Sequence, residues 1–204
     1  MNSENQLLFF FSALGGFNGI ILSTYFALMA GKKNSSNYYL SILMLVLSIR
    51  IIKSVFFYFN DDLANIFIQI GLSACILIGP FLYLYLKSTT EDAKINWKLH
   101  VLPYILGITI LGALYPYVDH RAIWSEWIVF SIYLQWLAYI IVSLKFIKPI
   151  IHKIKEKETL KNIEVWLLSI YFGVFIIWLA YNIGSNRSGN KQNWEFEILQ
   201  IDIM

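Results

Sequence analysis

Arg50 and Lys53 stand one turn apart inside an otherwise apolar run from Tyr38 to Phe59. A cation within a membrane span costs roughly 2.5–3.5 kcal/mol on insertion scales unless it reaches the interface or finds a partner. Lys53 is close enough to the end of its run to reach the interface, and Arg50 lies a turn deeper. The carboxylates on the same side are Asp61, Asp62, Asp119 and Glu126. Glu126 is the best placed, one turn into the fifth apolar run. Arg50, Lys53 and Glu126 are therefore the expected polar cluster. Two jobs fit it: an ion pair that orients the second helix, or a pocket for an anionic or polar ligand. Asn18, Gln69 and Gln135 are amides inside other runs. Hydrogen bonds between such groups clamp membrane helices, so Asn18 is expected to meet Gln69 or Gln135.

Catalytic patterns are missing. The sequence has no His-Glu-x-x-His, no Gly-x-Ser-x-Gly and no phosphate-cradling Gly-x-x-x-x-Gly-Lys. His100 and His152 fall on one side of the expected membrane and His120 on the other, so they build no metal cluster. Without a nucleophile beside a base, the chain is not expected to be an enzyme, and neither metal nor cofactor is expected. Cys75 is the only cysteine and lies in an apolar run, where it reads as a small buried hydrophobe.

The elements that carry these residues are six long apolar runs. Apolar residues make up 58% of the chain, charged residues 14%, and mean hydropathy is +0.60. A soluble domain could accommodate that only by exposing large apolar patches. A spanning helix needs about 20 apolar residues. The runs predict an all-α integral membrane bundle with six transmembrane helices, at 7–30, 38–59, 63–86, 99–118, 122–147 and 160–183. The first run is too long for the apolar core of a signal peptide, and no basic segment precedes it. Residues 1–183 form the transmembrane domain. Residues 184–204 form a polar tail, either disordered or a short interfacial helix.

Lysine and arginine set the orientation. With the N-terminus outside, the inner segments hold Lys32, Lys33, Lys87, Lys94, Lys98, Lys145, Lys148, Lys153, Lys155, Lys157 and Lys161, eleven in all. The outer segments hold Arg121, Arg187 and Lys191. Basic loops resist translocation, so this bias puts the N-terminus outside. The basic segment 148–161 is expected to lie along the anionic inner leaflet. Tyr38, Tyr39, Tyr83, Tyr85, Trp97, Tyr104, Tyr115, Trp124 and Trp127, with Phe57, Tyr58 and Tyr117, fall near span ends, as an interfacial aromatic belt does. Gly15 and Gly19 form a small-xxx-small pair that suits close helix packing. Pro80 lies inside the third run and predicts a kink there, Pro103 and Pro116 bracket the fourth, and Pro149 helps to end the fifth.

From the third run into the fourth, the chain reads Gly79-Pro80-Phe81-Leu82-Tyr83-Leu84-Tyr85-Leu86-Lys87-Ser88, then Trp97-Lys98-Leu99-His100-Val101-Leu102-Pro103-Tyr104. This resembles the membrane-embedded N-terminal region of certain bacterial AraC-type transcriptional regulators. There, a Gly-Pro-x-x-Tyr-x-Tyr-x-Lys-Ser-like helix end leads to a His-x-x-Pro-like entry. The glycine cluster of the first run and Ser48-Ile49-Arg50-Ile51-Ile52-Lys53 look similar too. The resemblance covers most of Leu7 to Ile183, and Gly79, Pro80, Tyr83, Tyr85, Lys87, His100 and Pro103 carry its weight.

The resemblance implies a sensory region in the bacterial cytoplasmic membrane that works as a homodimer and answers a small-molecule or membrane signal. Such regulators place an odd number of spans before a cytoplasmic helix-turn-helix domain. This chain departs from that pattern, with six runs and too few residues after Ile183 for a DNA-binding domain. It is expected to be a fragment, a truncated product or a stand-alone relative that binds no nucleic acid itself. The rival readings are the sensor region of a membrane histidine kinase, a small transporter and an intramembrane enzyme. A transporter tends to show internal repeats, and none is convincing here.

Overall fold

Continuous apolar sequence in hydrocarbon has few options, because every backbone polar group must be satisfied within the segment. The computed structural model accordingly builds helices: α1 (Ser3–Met29), α2 (Ser35–Phe59), α3 (Asn65–Thr90), α4 (Trp97–Leu114), α5 (Val129–Lys155) and α6 (Asn162–Ile201). A π-helical turn, Ile123–Ile128, leads into α5. The structure describes the backbone of residues 3–30, 35–59, 65–91, 95–116, 120 and 123–201. It describes the side chains of residues 10–30, 35–53, 55–56, 70–91, 95–116, 120, 123–124 and 127–183. Six helices are long and apolar enough to cross a membrane, and the fold is an all-helical bundle with no strand among the described residues.

α3 is the axis of the bundle. Of its spanning window, 72% is buried inside, against 11% for α1 and for α4. It packs on α2, α4 and α5, while α1 packs on α2 and α6 on α5. The main core runs along α2, α3, α5 and α6 through Leu43, Ile78, Leu82, Trp136, Ile147 and Leu167. A second cluster gathers Leu72, Cys75, Ile108, Trp124 and Ile132 where α3, α4, the π-turn and α5 meet.

Lipid is as apolar as leucine, so helix association in a membrane relies on close packing and interhelical hydrogen bonds. The α1–α2 contact uses both. A Cβ on Gly16 would stand 2.6 Å from Ile52 Cγ1, and one on Gly19 would stand 2.1 Å from Ser48 Oγ. The Ser23 hydroxyl donates to the Ser41 carbonyl at 2.8 Å, and the Ser41 hydroxyl donates back to the Ser23 carbonyl at 2.8 Å. The expected Gly15–Gly19 pair is thus corrected to Gly16–Gly19. Gly15 has nothing within 4 Å of where a Cβ would sit.

The helix ends also differ from the sequence reading in ways the chemistry explains. Pro149 lies inside α5, which runs on to Lys155 instead of ending near Ile147. The helix stops at a Schellman turn. Lys157 takes a left-handed φ of 56°, the Glu158 N–H donates to the Lys153 carbonyl at 3.0 Å, and the Lys157 N–H donates to the Ile154 carbonyl at 3.2 Å. α6 then opens on half a capping box, in which Glu164 Oε2 accepts from the Lys161 N–H at 2.8 Å. Glu164 Oε1 also pairs with Lys153 Nζ at 2.6 Å, so the basic segment 148–161 is partly neutralised by its own helix pair. Pro103 is likewise interior to α4, and Pro80 to α3, while Pro116 follows the end of α4. The backbone of α6 continues through much of the expected 184–204 tail, as far as Ile201.

Tyr38, Trp97, Tyr115 and Trp127 are exposed, as belt residues are, and Tyr104 is partly so. Tyr39, Tyr83, Tyr85 and Trp124 are not belt residues, for they are buried between helices. Phe57, Tyr58 and Tyr117 lie outside the described side chains.

Candidate functional site

Arg50 is only 7% exposed, although its Cα sits some 13 Å from the far end of α2 at about 1.5 Å per residue. The last two helices, α5 and α6, supply what holds it. Arg50 Nη2 donates to the Tyr133 hydroxyl of α5 at 2.7 Å, and the guanidinium lies 4.3 Å from the centroid of the Tyr181 ring of α6. Its Nε is buried with no hydrogen-bond partner. A guanidinium suits this position because it is planar and weakly hydrated, and can stack on an aromatic face while it donates at its edge. Tyr133 is fixed in turn: its carbonyl accepts from Trp178 Nε1 at 3.1 Å, and its ring stacks on Trp136. One cation therefore fastens α2, α5 and α6 through neutral partners.

The rest of the expected cluster divides. Lys53 turns toward α3, where its stem lies on Gly71; a Cβ there would come within 2.5 Å of Lys53 Cγ. Glu126 belongs to the π-turn, and its side chain, like those of Gln69, Asp61, Asp62 and Asp119, lies outside the described residues. Asn18 is a correction. It is exposed on α1, turned away from the Gly16–Gly19–Ser23 line that meets α2, and it does not clamp Gln135, whose amide atoms have no hydrogen-bond partner. Tyr133 and Tyr181 were not singled out from sequence: Tyr133 lies midway along the fifth run and Tyr181 near the end of the sixth, and no spacing ties either to Arg50.

The motif residues of α3 and α4 converge with one addition from α5. Gly79 leaves room for Tyr139, whose Cβ is 2.9 Å from where a glycine Cβ would sit. Tyr83 packs on His100 at 5.0 Å between ring centroids and on Tyr139 at 6.0 Å. His100 Nδ1 lies 3.2 Å from the Tyr139 hydroxyl. The Lys87 and Lys145 ammonium groups lie 5.8 and 5.5 Å from the Tyr83 ring. Pro80 is fully buried beside Gly79, whereas Tyr85 stands apart from this group and packs into the main core. Pro103 lies just beyond His100, on the wall of a cavity.

That cavity, of about 580 Å³, lies between α3, α4 and α5. Ile76, Gly107, Ile108, Leu111 and Ile132 make its apolar wall, and Tyr104, Ser131, Gln135 and Tyr139 bring polar groups to it. Ser131 already donates to the Trp127 carbonyl at 2.8 Å, and Tyr139 faces His100. Gln135 differs: both its amide nitrogen and its amide oxygen are buried without a partner. An amide left so costs about 1–3 kcal/mol. Among the described residues, no group of three His, Cys, Asp or Glu side chains is placed to hold a metal ion.

Compared with known protein families, with characterised proteins and with solved structures, the chain matches none.

Proposed function

We propose that this chain is the sensory module of a membrane signalling protein, of the kind that precedes the DNA-binding domain in AraC-type regulators. Buried Arg50 carries the sensory part of the reading. Its charge is shared with a hydroxyl and a ring, neither of which neutralises it. A ligand that offers a stronger acceptor, or a change in the surrounding bilayer, would re-partner the guanidinium and shift α2 against α5 and α6. That is a discrete change of helix packing with a differential contact to drive it. The regulatory part rests on the resemblance through Gly79, Tyr83, Lys87, His100 and Pro103.

The same reading sets the chain in the bacterial cytoplasmic membrane with its N-terminus outside, supported by eleven inner cations against three outer ones. It also pairs two copies through α1, where Asn18 and the bare Gly15 face outward. An amide carries donor and acceptor together, so it is self-complementary across a two-fold axis.

The test is made in the source cells. Exchange of the chain for its Arg50→Leu variant, at equal abundance in the membrane, is expected to change the transcript profile; an unchanged profile removes the sensory role. The DNA that reads on from Met204 separates the outputs. A helix-turn-helix sequence there supports the regulator, a kinase core supports a histidine-kinase sensor, and unrelated sequence withdraws both.

A further inference from the structure

We infer that the cavity between α3, α4 and α5 is a binding site for an uncharged single-chain amphiphile that enters from the lipid phase and hydrogen-bonds Gln135 through a hydroxyl head. Its volume, about 580 Å³, is that of a small-molecule site, a class that runs from roughly 300 to 1,000 Å³. The route of entry follows from the flanking surfaces. Leu102, Leu106 and Ile110 of α4 and Leu134 and Ile141 of α5 are exposed within spanning helices, so the cavity is bordered by hydrocarbon. A water-soluble ligand has no path there, whereas a lipid-like molecule needs only to slide sideways.

The wall selects the head group. Among the described residues no Lys, Arg, Asp or Glu lines the cavity, so the wall offers a charged head no described partner. Gln135 is the complement that the site lacks. Its amide presents a donor and an acceptor, both buried and both unmet. A hydroxyl answers both, since it accepts from Nε2 and donates to Oε1. The tail then lies along Ile108, Leu111 and Ile132. Space is assured at Gly107, where a Cβ would meet nothing within 4 Å. This site does not depend on the sensory role proposed above, because occupancy is read on the purified protein and signalling in cells; either can fail alone.

The experiment uses the whole chain in nanodiscs, with a photoreactive diazirine analogue of hexadecanol and the matching analogue of hexadecane. The alcohol is expected to label α4 and α5 around Gly107 and Gln135 in preference to the alkane. Gln135→Leu should reduce that preference by at least about tenfold, since both hydrogen bonds to the head are lost. Gly107→Phe should abolish labelling by filling the cavity, with the thermal midpoint of the protein unchanged. Should Gln135→Leu fail to fold, Gly107→Phe decides. Equal labelling by alcohol and alkane would mean that ordinary acyl chains wet the groove, and overturns the proposal. So does labelling that persists in Gly107→Phe, or a cross-linked pair of chains joined through α4 and α5 in place of label.

Discussion

Removing the Tyr133 hydroxyl should harm this protein more than removing the charge it serves. Among the described residues, Tyr133→Phe leaves the buried Arg50 guanidinium with the Tyr181 ring alone. The lost bond is charge-assisted and 2.7 Å long, a class that contributes about 1.5–3 kcal/mol. The unfolding equilibrium should therefore move by roughly 10- to 150-fold. Arg50→Met removes the cation itself. The hydroxyl it abandons is neutral, and the guanidinium no longer has to be kept from water, so the cost should stay under about 1 kcal/mol or become a gain. In the double variant Arg50→Met/Tyr133→Phe, the second change should add almost nothing, giving a coupling of about 1.5–3 kcal/mol. Tyr181→Leu should cost about 1–2 kcal/mol in the Arg50 background and far less in Arg50→Met, because its stacking partner is then gone. The assay is reversible unfolding in mixed micelles, followed by tryptophan fluorescence. If Arg50→Met destabilises more than Tyr133→Phe, or the two costs simply add, Arg50 is not held as described and the reasoning from it fails.

Three further outcomes follow from the packing. Gly19→Leu should destabilise the α1–α2 pair by about 1–3 kcal/mol through overpacking against Ser48, while Gly15→Leu should leave it unchanged in the same unfolding assay; equal effects would contradict the helix face assigned here. Lys157→Gly should raise stability by about 1 kcal/mol, because Lys157 holds a left-handed φ of 56° that glycine adopts without strain, and a lowered thermal midpoint would argue against the Schellman turn. Asn18→Leu should reduce self-association measured by energy transfer between labelled copies in nanodiscs, with folding intact, and unaltered transfer would remove α1 from the dimer.

The bundle was legible because hydropathy acts over twenty residues at a time, and each expected run holds one observed helix. What escaped was decided by single contacts. Pro149 looked like a stop, yet the stop is made by backbone bonds around Lys157, eight positions on, whose φ no side chain announces. Gly15 and Gly16 are indistinguishable in sequence; only the rotation of α1 against Ile52 and Ser48 picks Gly16. Arg50 stood out because a charge in a span is costly. Its partners did not, since the contacts of Tyr133 and Tyr181 with Arg50 bring together helices far apart in sequence, which no spacing announces. Gln135 was legible as a polar residue in a span, but not as an unmet one. That required the packing of α4 and α5, which buries both amide atoms without bringing a partner to them.

The two polar features belong to different kinds of packing. Around Arg50, α2, α5 and α6 are drawn together by bonds that cross helices. α4 is instead held near its two ends. At one, His100 packs on Tyr83 and faces Tyr139; at the other, the Tyr115 carbonyl accepts from Trp124 Nε1 at 2.6 Å. Between those pins lies the cavity, with Gly107 at its wall and the Gln135 amide unmet. Ile108 packs the middle of α4 onto the second core cluster beside the cavity, so an occupant along Gly107 and Leu111 would bear on that packing and on the pins. One pin carries Tyr83, and the Lys87 ammonium lies 5.8 Å from the centroid of the same ring. An amphiphile at Gln135 would thus act on the motif end of α3 without ever touching Arg50. Input at the cavity and closure at the Arg50 knot are therefore separable: Gly107→Phe should mimic occupancy while it leaves the Arg50–Tyr133 coupling energy unaltered.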